Sequence, residues 1–506
     1  MNIFDSLERA QIRFPDKDAV IFKEQRTTYG ELYEQTCRLS AALSKRFGLL
    51  RGDRVAIFLP NIPAFIVSYY AIEKLGAVAV SLNVMLKRNE VEFILRDCGA
   101  RVLIAMPQFL EEVPENISSL EAIVTVGATD RPGCWQFSEL ASEQPASAAP
   151  GVRVESEDSA AILYTSGTTG QAKGVLLTHG NLVSNSQATH HHTRMTPDDR
   201  LLCFLPLFHC FGQNFIMNTS VQAGATLLLH ERFVPDEILK SAMDNKATMF
   251  FGVPAVYIRL LAQPDIEKNL DSIRYYFSAA APITVKIVRS WQERFGQIIY
   301  EGYGLTETSP FATYNHDSEY REGSVGTAIQ YVVLKIINER GERLPPGELG
   351  EIAIKGPNVM KGYFKRPEEN ARVIHDGWFL SGDIGRMDDD GHLYLVDRAK
   401  DMINVSGFKV WPREVEEVLS QHPDLTESAV IGVPHPVSGE AVKAFVVPKK
   451  SAQLTEKDVI DFCRDRIAVY KAPRYVEFID ALPRNPAGKV LKRELRLREL
   501  ERKKVA

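Results

Sequence analysis

The sequence predicts an α/β protein: a large N-terminal domain with mixed, mostly parallel sheets and a β-rich subdomain, followed by a small α+β C-terminal domain. Three observations predict it. Apolar runs of strand length alternate with helical patterns over residues 53–106 and again over 246–303, the signature of parallel strands joined by crossover helices. After Gly323 the runs become shorter and are punctuated by tight turns. Beyond the charged stretch "DRAKD" (397–401) the order is helix, strand, strand, helix, a unit of about 100 residues, which is a common domain size. At 506 residues the chain also exceeds the length at which one hydrophobic core keeps growing. The division is therefore expected near Lys400, giving domains 1–399 and 400–506.

Taken in order, "DRVAIFLP" reads as a buried strand, "PAFIVSYYAIEKLG" as a helix, "AVAVSLNV" as a strand, "KRNEVEFILRDCG" as a helix and "RVLIAM" as a strand. The Ala-, Ser-, Pro- and Glu-rich stretch 141–159 reads as a surface connector leading into the short strand "AAILYTS". The second alternation runs "KATMFFGVP", "AVYIRLLA", "IRYYFSAAAP", "TVKIVRSWQERFG", "QIIYEGYG". "GELGEIAIKGPNVMKGYF" and "DDDGHLYLVD" carry the shorter strands, with the aspartates 388–390 read as a solvated turn. "VEEVLSQHP", "SAVIGVPHP", "AVKAFVVPKK" and "EKDVIDFCRDRIA" make up the last unit.

Composition narrows the function. With 45% apolar and 25% charged residues and a net charge of -5, nothing suggests a basic surface for nucleic acid. The cysteines (Cys37, Cys98, Cys134, Cys203, Cys210, Cys463) are scattered, without metal-ligand spacing, and suit a reducing cytosol, so a cytoplasmic location is expected. The N-terminal "MNIFDSLERAQIRFPDKDA" lacks the basic region and apolar run of a secretory signal. The most apolar region is broken by Pro60, Asn61, Pro63, Glu73 and Lys74, so no membrane span is predicted.

The stretch "YTSGTTGQAKG" (Tyr164–Gly174) crowds hydroxyl side chains and glycines around a single lysine. Glycines let the backbone approach a ligand closely, and hydroxyls, free N–H groups and one ammonium suit a polyphosphate. A Walker A loop is excluded by spacing, because Lys173 follows Ala172 and precedes Gly174. By itself the stretch is also compatible with a polar surface turn.

Four more segments come after it: "YEGYGLTET", "GWFLSGDIGRMDDDGHLYLVDRAKD", "MINVSGFKVWPREVEEVL" and "PRNPAGKVLKREL". In this order, spanning 164 to 493, the set resembles the adenylate-forming superfamily, which includes acyl-CoA synthetases, firefly luciferase and the adenylation domains of nonribosomal peptide synthetases. The resemblance implies a ligase that uses ATP, Mg2+ and coenzyme A, and a C-terminal domain that is mobile. It implies that Thr165, Ser166, Gly167, Thr168, Thr169, Gly170 and Lys173 grip the triphosphate. It puts Tyr303 against the adenine, with Ala280, Gly302 and Gly304 along the nucleotide, Thr306 at the α-phosphate, and Asp383 and Arg398 on the ribose hydroxyls. Glu307 is implied as the magnesium ligand, in keeping with the preference of a hard cation for carboxylate and phosphate oxygens. Lys489 is implied to bridge carboxylate and α-phosphate, Gly407 to border the tunnel for the pantetheine arm, and Lys400 to be the hinge about which the small domain turns.

The implied acyl pocket lies beside "LFHCFGQNF", "FFGVPAVY" and "SAAAPI", which supply Phe208, Phe211, Phe251, Val253 and Tyr257 with no lysine or arginine, and His209 at the gate. An apolar carboxylic acid is expected, medium or long fatty acids first and arylacrylic or benzoic acids second. Relatives often have glycine where this chain has Ala279, Ala280 and Ala281, which bears on the length of the pocket. Two other readings remain: an acyl-AMP ligase that loads an acyl carrier protein, and a non-catalytic nucleotide-binding scaffold. The basic tail "KVLKRELRLRELERKK" offers contact to the coenzyme's phosphates or an anionic membrane, while Glu494, Glu499 and Glu501 favour a plain solvated helix. Oligomeric state is not legible.

Overall fold

The computed structural model describes residues 2–166, 172–450, 452–485 and 488–505. Among these residues the strands form four sheets. The first centres on six parallel strands, in the spatial order Ile299–Gly304, Tyr275–Ser278, Met249–Gly252, Arg200–Cys203, Thr226–Leu229 and Asp18–Phe22, with antiparallel strands at both edges. In the second, Ser159–Ser166, Val78–Ser81, Arg54–Phe58, Val102–Ala105, Ala122–Thr125 and Cys134–Gln136 run parallel. The strand Ala172–Thr178 folds back on Ser159–Ser166 as an antiparallel hairpin. Both alternating regions thus form the parallel sheets that their periodicity predicts, and the burial agrees: Val55, Ala56, Ile57 and Phe58 are all fully buried.

The third sheet is the β-rich subdomain, with Val333–Ile337, Gly350–Lys355 and Trp378–Met387 antiparallel and Leu393–Arg398 returning along the last of these. One strand expected with this group leaves it. Gly362–Tyr363 pairs instead with Ala172–Thr178, tying the subdomain to the stem of that hairpin. The fourth sheet joins Ile403–Val405, Phe408–Val410, Leu425–His435, Gly439–Pro448 and Tyr475–Phe478, and two apolar cores made from Ile403 onward pack on it.

Two sequence expectations need correction. The aspartates 388–390 are a turn but are not simply solvated, because Arg321 pairs with Asp388 at 2.7 Å and with Asp390 at 2.9 Å. The tail forms the helix Lys492–Val505, but it is docked and not a plain solvated helix. Leu495 is fully buried, Lys492 pairs with Glu416, Arg496 with Asp401, and Glu499 accepts from Lys443. No helix among the described residues is long and apolar enough to cross a membrane.

One buried charge pattern works against the fold. Glu73, in the helix Pro63–Lys74, is fully buried, and neither carboxylate oxygen has a hydrogen-bond partner among the described residues. The Nδ1 of buried His179 lies 3.5 Å away but already accepts from the Ile3 amide. Burial pushes the Glu73 carboxyl well above its ordinary value near 4.5. A carboxyl of this kind contributes most below pH 4.5 and progressively less as pH rises. Glu73→Met, which keeps the volume, is expected to raise the thermal midpoint by a few degrees at pH 8 (about 1–3 kcal/mol) and by less at pH 5. Calorimetric melting at the two pH values checks it, and equal or lower midpoints in the variant would contradict it.

Candidate active site

The site begins with a cross-strand pair. Asp383 and Arg398 are register partners on adjacent strands of the third sheet, and Arg398 Nε lies 3.0 Å from Asp383 Oδ1. The other carboxylate oxygen, Oδ2, accepts from the Tyr303 hydroxyl at 2.8 Å. Tyr303 is only 5% exposed and sits on the strand Ile299–Gly304 of the first sheet, so this one carboxylate joins two sheets. The flanking glycines have a packing cause of their own. A Cβ at Gly302 would meet Phe277 Cζ at 2.6 Å, and one at Gly304 would overlap the Pro310 carbonyl oxygen at 1.8 Å, where the antiparallel partner strand begins.

The turn Thr306–Thr308 comes directly after, leaving Thr306 half-buried and Glu307 buried. Burial pushes the Glu307 carboxyl above its ordinary value, and the Tyr363 hydroxyl donates to its Oε1 at 2.9 Å. Tyr363 comes from the short strand that pairs with Ala172–Thr178, so the same ring also lies beneath Lys173, whose Nζ is 5.2 Å from the ring centroid. Lys173 is ion-paired with Glu369. Its cross-strand partner Thr165 is half-buried, and Ser166 pairs with Ala172 at the end of the hairpin. Gly167, Thr168, Thr169 and Gly170 lie outside the described residues. Gly174 gives Tyr164 its place: a Cβ there would sit 2.7 Å from Ile162 Cγ2 and 3.1 Å from the Tyr164 ring. The Tyr164 hydroxyl donates to Asp97 at 2.6 Å, and Arg366 binds the same carboxylate at 3.0 Å, anchoring the hairpin stem.

Lys489 reaches this cleft from the small domain. Its amide donates to Asn485 Oδ1 at 2.8 Å, and Asn485 N returns a bond to the Lys489 carbonyl at 2.9 Å. Gly488 seats the loop on the large domain: with φ +78°, its added Cβ would lie 2.7 Å from Val253 Cγ2. Burial, then repulsion from Arg398, lowers the Lys489 ammonium to about 8. His209 is near enough to feel Lys489; burial first and that ammonium second hold its imidazole down to about 4, so it is neutral through the physiological range. Its Nδ1 accepts from the Phe211 amide at 3.2 Å.

Around His209 the wall is aromatic. Phe211, Phe251 and Tyr257 are buried, Val253 is buried beside Gly488, and Phe208 is half-buried. Phe211 packs edge-on against Phe215 and Phe311, with centroids 5.1 and 5.5 Å away, and Phe215 stacks on Phe277 at 5.0 Å. The Tyr257 hydroxyl is taken up by the Phe277 carbonyl at 2.7 Å. Ala280 is exposed and has φ +67°, a left-handed conformation that costs a residue with a Cβ about 1 kcal/mol.

One residue named from sequence is not gathered here. Gly407, expected beside a tunnel, is exposed, with φ +89° and nothing within 4 Å of an added Cβ. The physical reason is orientation: the small domain presents the Lys489 loop to the cleft, and the Gly407 turn faces open space. Lys400, in the turn Ala399–Asp401, is near enough to Arg398, Asp383 and Lys489 for their charges to act on one another, and partial burial with repulsion from Arg398 lowers its ammonium. Conversely, Tyr363 and Glu369 lie outside the five motif segments, and Glu301 and Arg413, though inside them, carry no role that the sequence announces. Glu301 is buried, with Arg413 and Glu417 of the helix Pro412–Ser420 as its charged neighbours, and burial pushes its carboxyl up to about 8. Arg413 also bonds back to the large domain, from its Nη1 to the Leu395 carbonyl at 2.9 Å and from its amide to Asp397 at 2.9 Å.

The profile for AMP-binding enzymes matches residues 7–364, and that for the C-terminal domain of AMP-binding enzymes matches 414–489. The chain is 35% identical to a long-chain-fatty-acid–CoA ligase of Bacillus subtilis, over 97% of this chain and 93% of that one. It is 38% identical to a feruloyl-CoA synthase of an Amycolatopsis species, over 93% and 94% respectively. ATP-bound MatB from Rhodopseudomonas palustris superposes with a TM-score of 0.92 at 34% identity, covering 98% of both chains, and the apo form of the same protein with 0.80. The chain belongs to the AMP-binding enzyme family and, within it, to the AMP-forming acyl-CoA ligases.

Glu301, buried with Arg413 and Glu417 of the small domain as charged neighbours, is expected to make the contact between the domains pH-dependent. A carboxyl held at about 8 favours docking fully below its ordinary value near 4.5, and that contribution is lost as pH rises toward 8. Fluorescence transfer between labels on the two domains is expected to report less of the docked orientation at pH 8.5 than at pH 6. Glu301→Gln should flatten the profile, and an unchanged slope in that variant would contradict the assignment.

Proposed function

We propose that this chain joins an apolar monocarboxylic acid to ATP, releasing pyrophosphate, and then passes the acyl group from the adenylate to the thiol of coenzyme A. The observation that carries the reading is the placement of Lys489. A buried ammonium, supplied by the small domain, stands between the Tyr303–Asp383–Arg398 cluster and the aromatic wall around His209.

Joining a carboxylate to ATP brings one anion against another, and that repulsion is what the site removes. Lys489 orients the carboxylate and offsets charge at the α-phosphorus, with the Thr306 hydroxyl beside it. Asp383 accepts from the two vicinal ribose hydroxyls, and Arg398 holds that carboxylate in place. Tyr303 covers the adenine, while Thr165, Ser166 and Lys173 face the departing pyrophosphate. Glu307 is a buried carboxylate whose hydrogen bond comes from a neutral hydroxyl, a hard oxygen donor that fits Mg2+ alongside phosphate oxygens. Mg2+ held there would neutralise charge on the leaving pyrophosphate. Neutral His209 packs at the mouth of the acyl wall without adding a second positive charge.

The thiol must reach the same carbonyl from the side that Lys489 occupies. We assign Lys400 as the hinge between domains 1–399 and 400–506, about which the Lys489 loop leaves and the Gly407 turn enters. The higher similarity to the ATP-bound than to the apo form of MatB supports the present orientation as the one for adenylation. For the acid, medium or long fatty acids are the first assignment. One observation favours arylacrylic or benzoic acids: the rings of Phe211, Phe215, Phe277 and Phe311 fill the space beneath the wall and would have to part for a long alkyl chain.

Pyrophosphate release is to be measured over octanoate, palmitate, ferulate and benzoate, with and without coenzyme A. Coenzyme-stimulated turnover with thioester product is expected; adenylate accumulating despite the coenzyme would point to carrier-protein loading, and no release with any acid to a non-catalytic scaffold. Lys489→Ala is expected to slow adenylate formation roughly a hundredfold to a thousandfold while leaving thioester formation from supplied acyl adenylate within about threefold. Equal loss in both half-reactions would contradict the division of roles.

A further inference from the structure

Lys173 is the one cation of the phosphate hairpin, and its ammonium already has a carboxylate partner. That partner, Glu369, belongs to no motif and lies 196 positions away in the chain, yet the fold delivers it with care. The strand Gly362–Tyr363 runs antiparallel to Ala172–Thr178, with Tyr363 opposite Val175. Asn370 then locks the start of the helix Pro367–Val373 onto this strand: its Oδ1 accepts from the Tyr363 amide at 2.6 Å and its Nδ2 donates to the Tyr363 carbonyl at 3.0 Å. Glu369, the preceding residue, is thereby held at Lys173. The side chains are 17% and 28% exposed, so water only partly screens the pair. The Tyr363 ring lies under the ammonium, and its hydroxyl donates to Glu307.

We propose that Glu369 is a positioning residue that competes with phosphate for Lys173, holding the ammonium while the site is empty and retaking it as pyrophosphate departs. The inference rests on the reading above that Lys173 faces the leaving group. An incoming phosphate oxygen must either draw the ammonium off Glu369 or approach with a second anion next to it, and both weaken binding. The same competition eases product release, because the ammonium has a waiting partner when pyrophosphate goes. Removing the Glu369 charge therefore strengthens binding of polyphosphate, whereas damage to a merely structural contact would weaken it. AMP, which lacks the groups that reach Lys173, is indifferent to the change.

The test is calorimetric titration of the full-length protein with inorganic pyrophosphate and, separately, with AMP, both with Mg2+ present. Glu369→Gln is expected to tighten pyrophosphate on the order of tenfold and to leave AMP within about twofold. Glu369→Asp, which keeps the charge, should stay near the parent value, and in a Lys173→Ala background the glutamine substitution should have no effect. Unchanged or weaker pyrophosphate binding by Glu369→Gln overturns the proposal, as does equal tightening without Lys173, which would mean that the carboxylate acts on the anion directly. If Lys173→Ala alone leaves pyrophosphate affinity untouched, the phosphate role of Lys173 itself fails, and the proposal with it. Thermal melting accompanies each variant, and Glu369→Ala replaces the glutamine variant if that protein melts early.

Discussion

Asp383 is the point on which the cleft is organised. One oxygen takes the hydroxyl of Tyr303 from the first sheet, the other faces the guanidinium of Arg398 on the neighbouring strand, and the same charge helps offset the ammonium of Lys489 from the small domain. Asp383 thus leads, with Asp401 behind it, in offsetting cations that repel each other across a partly desolvated space. Without it Arg398 and Lys489 would face each other with less to hold them close. The site depends on that compensation before any nucleotide arrives.

Much of the cleft is legible in the sequence because the residues sit inside contiguous runs that carry the family resemblance. Tyr303, Glu307, Asp383, Arg398 and Lys489 can each be named from a few neighbouring letters, and the parallel sheets are announced by alternating periods. What escapes is whatever acts through tertiary pairing. Glu301 reads as one more polar residue in "YEGYG", yet it is buried with Arg413 and Glu417 of the other domain as neighbours. Tyr363 and Glu369 matter because a two-residue strand leaves its expected sheet for the hairpin stem, an event too short to leave a periodic signal. Gly302 and Gly304 read as residues along the nucleotide, and the structure adds a closer cause in the tight packing of their strand against Phe277 and the Pro310 carbonyl.

The arrangement is also expensive in places, as working sites are. Lys489 is charged against burial and against Arg398, Glu301 is forced toward its neutral form, and Ala280 holds a left-handed backbone that suits glycine better. These costs lie along the seam between the domains and at the acyl wall, while the parallel sheets behind are filled by tightly buried aliphatic and aromatic side chains. That contrast is consistent with the hinge proposed at Lys400.

The docked terminal helix has a mechanical meaning. Arg496 grips Asp401, the residue beside Lys400, while Leu495 and Glu499 fasten the same helix to the sheet of the small domain. The first two turns of the terminal helix are therefore tied to the residue next to the proposed pivot. On the hinge proposed at Lys400, this strut would travel with the small domain and brace the residue next to the pivot, so the first two turns of the helix would bear on how freely the lid swings.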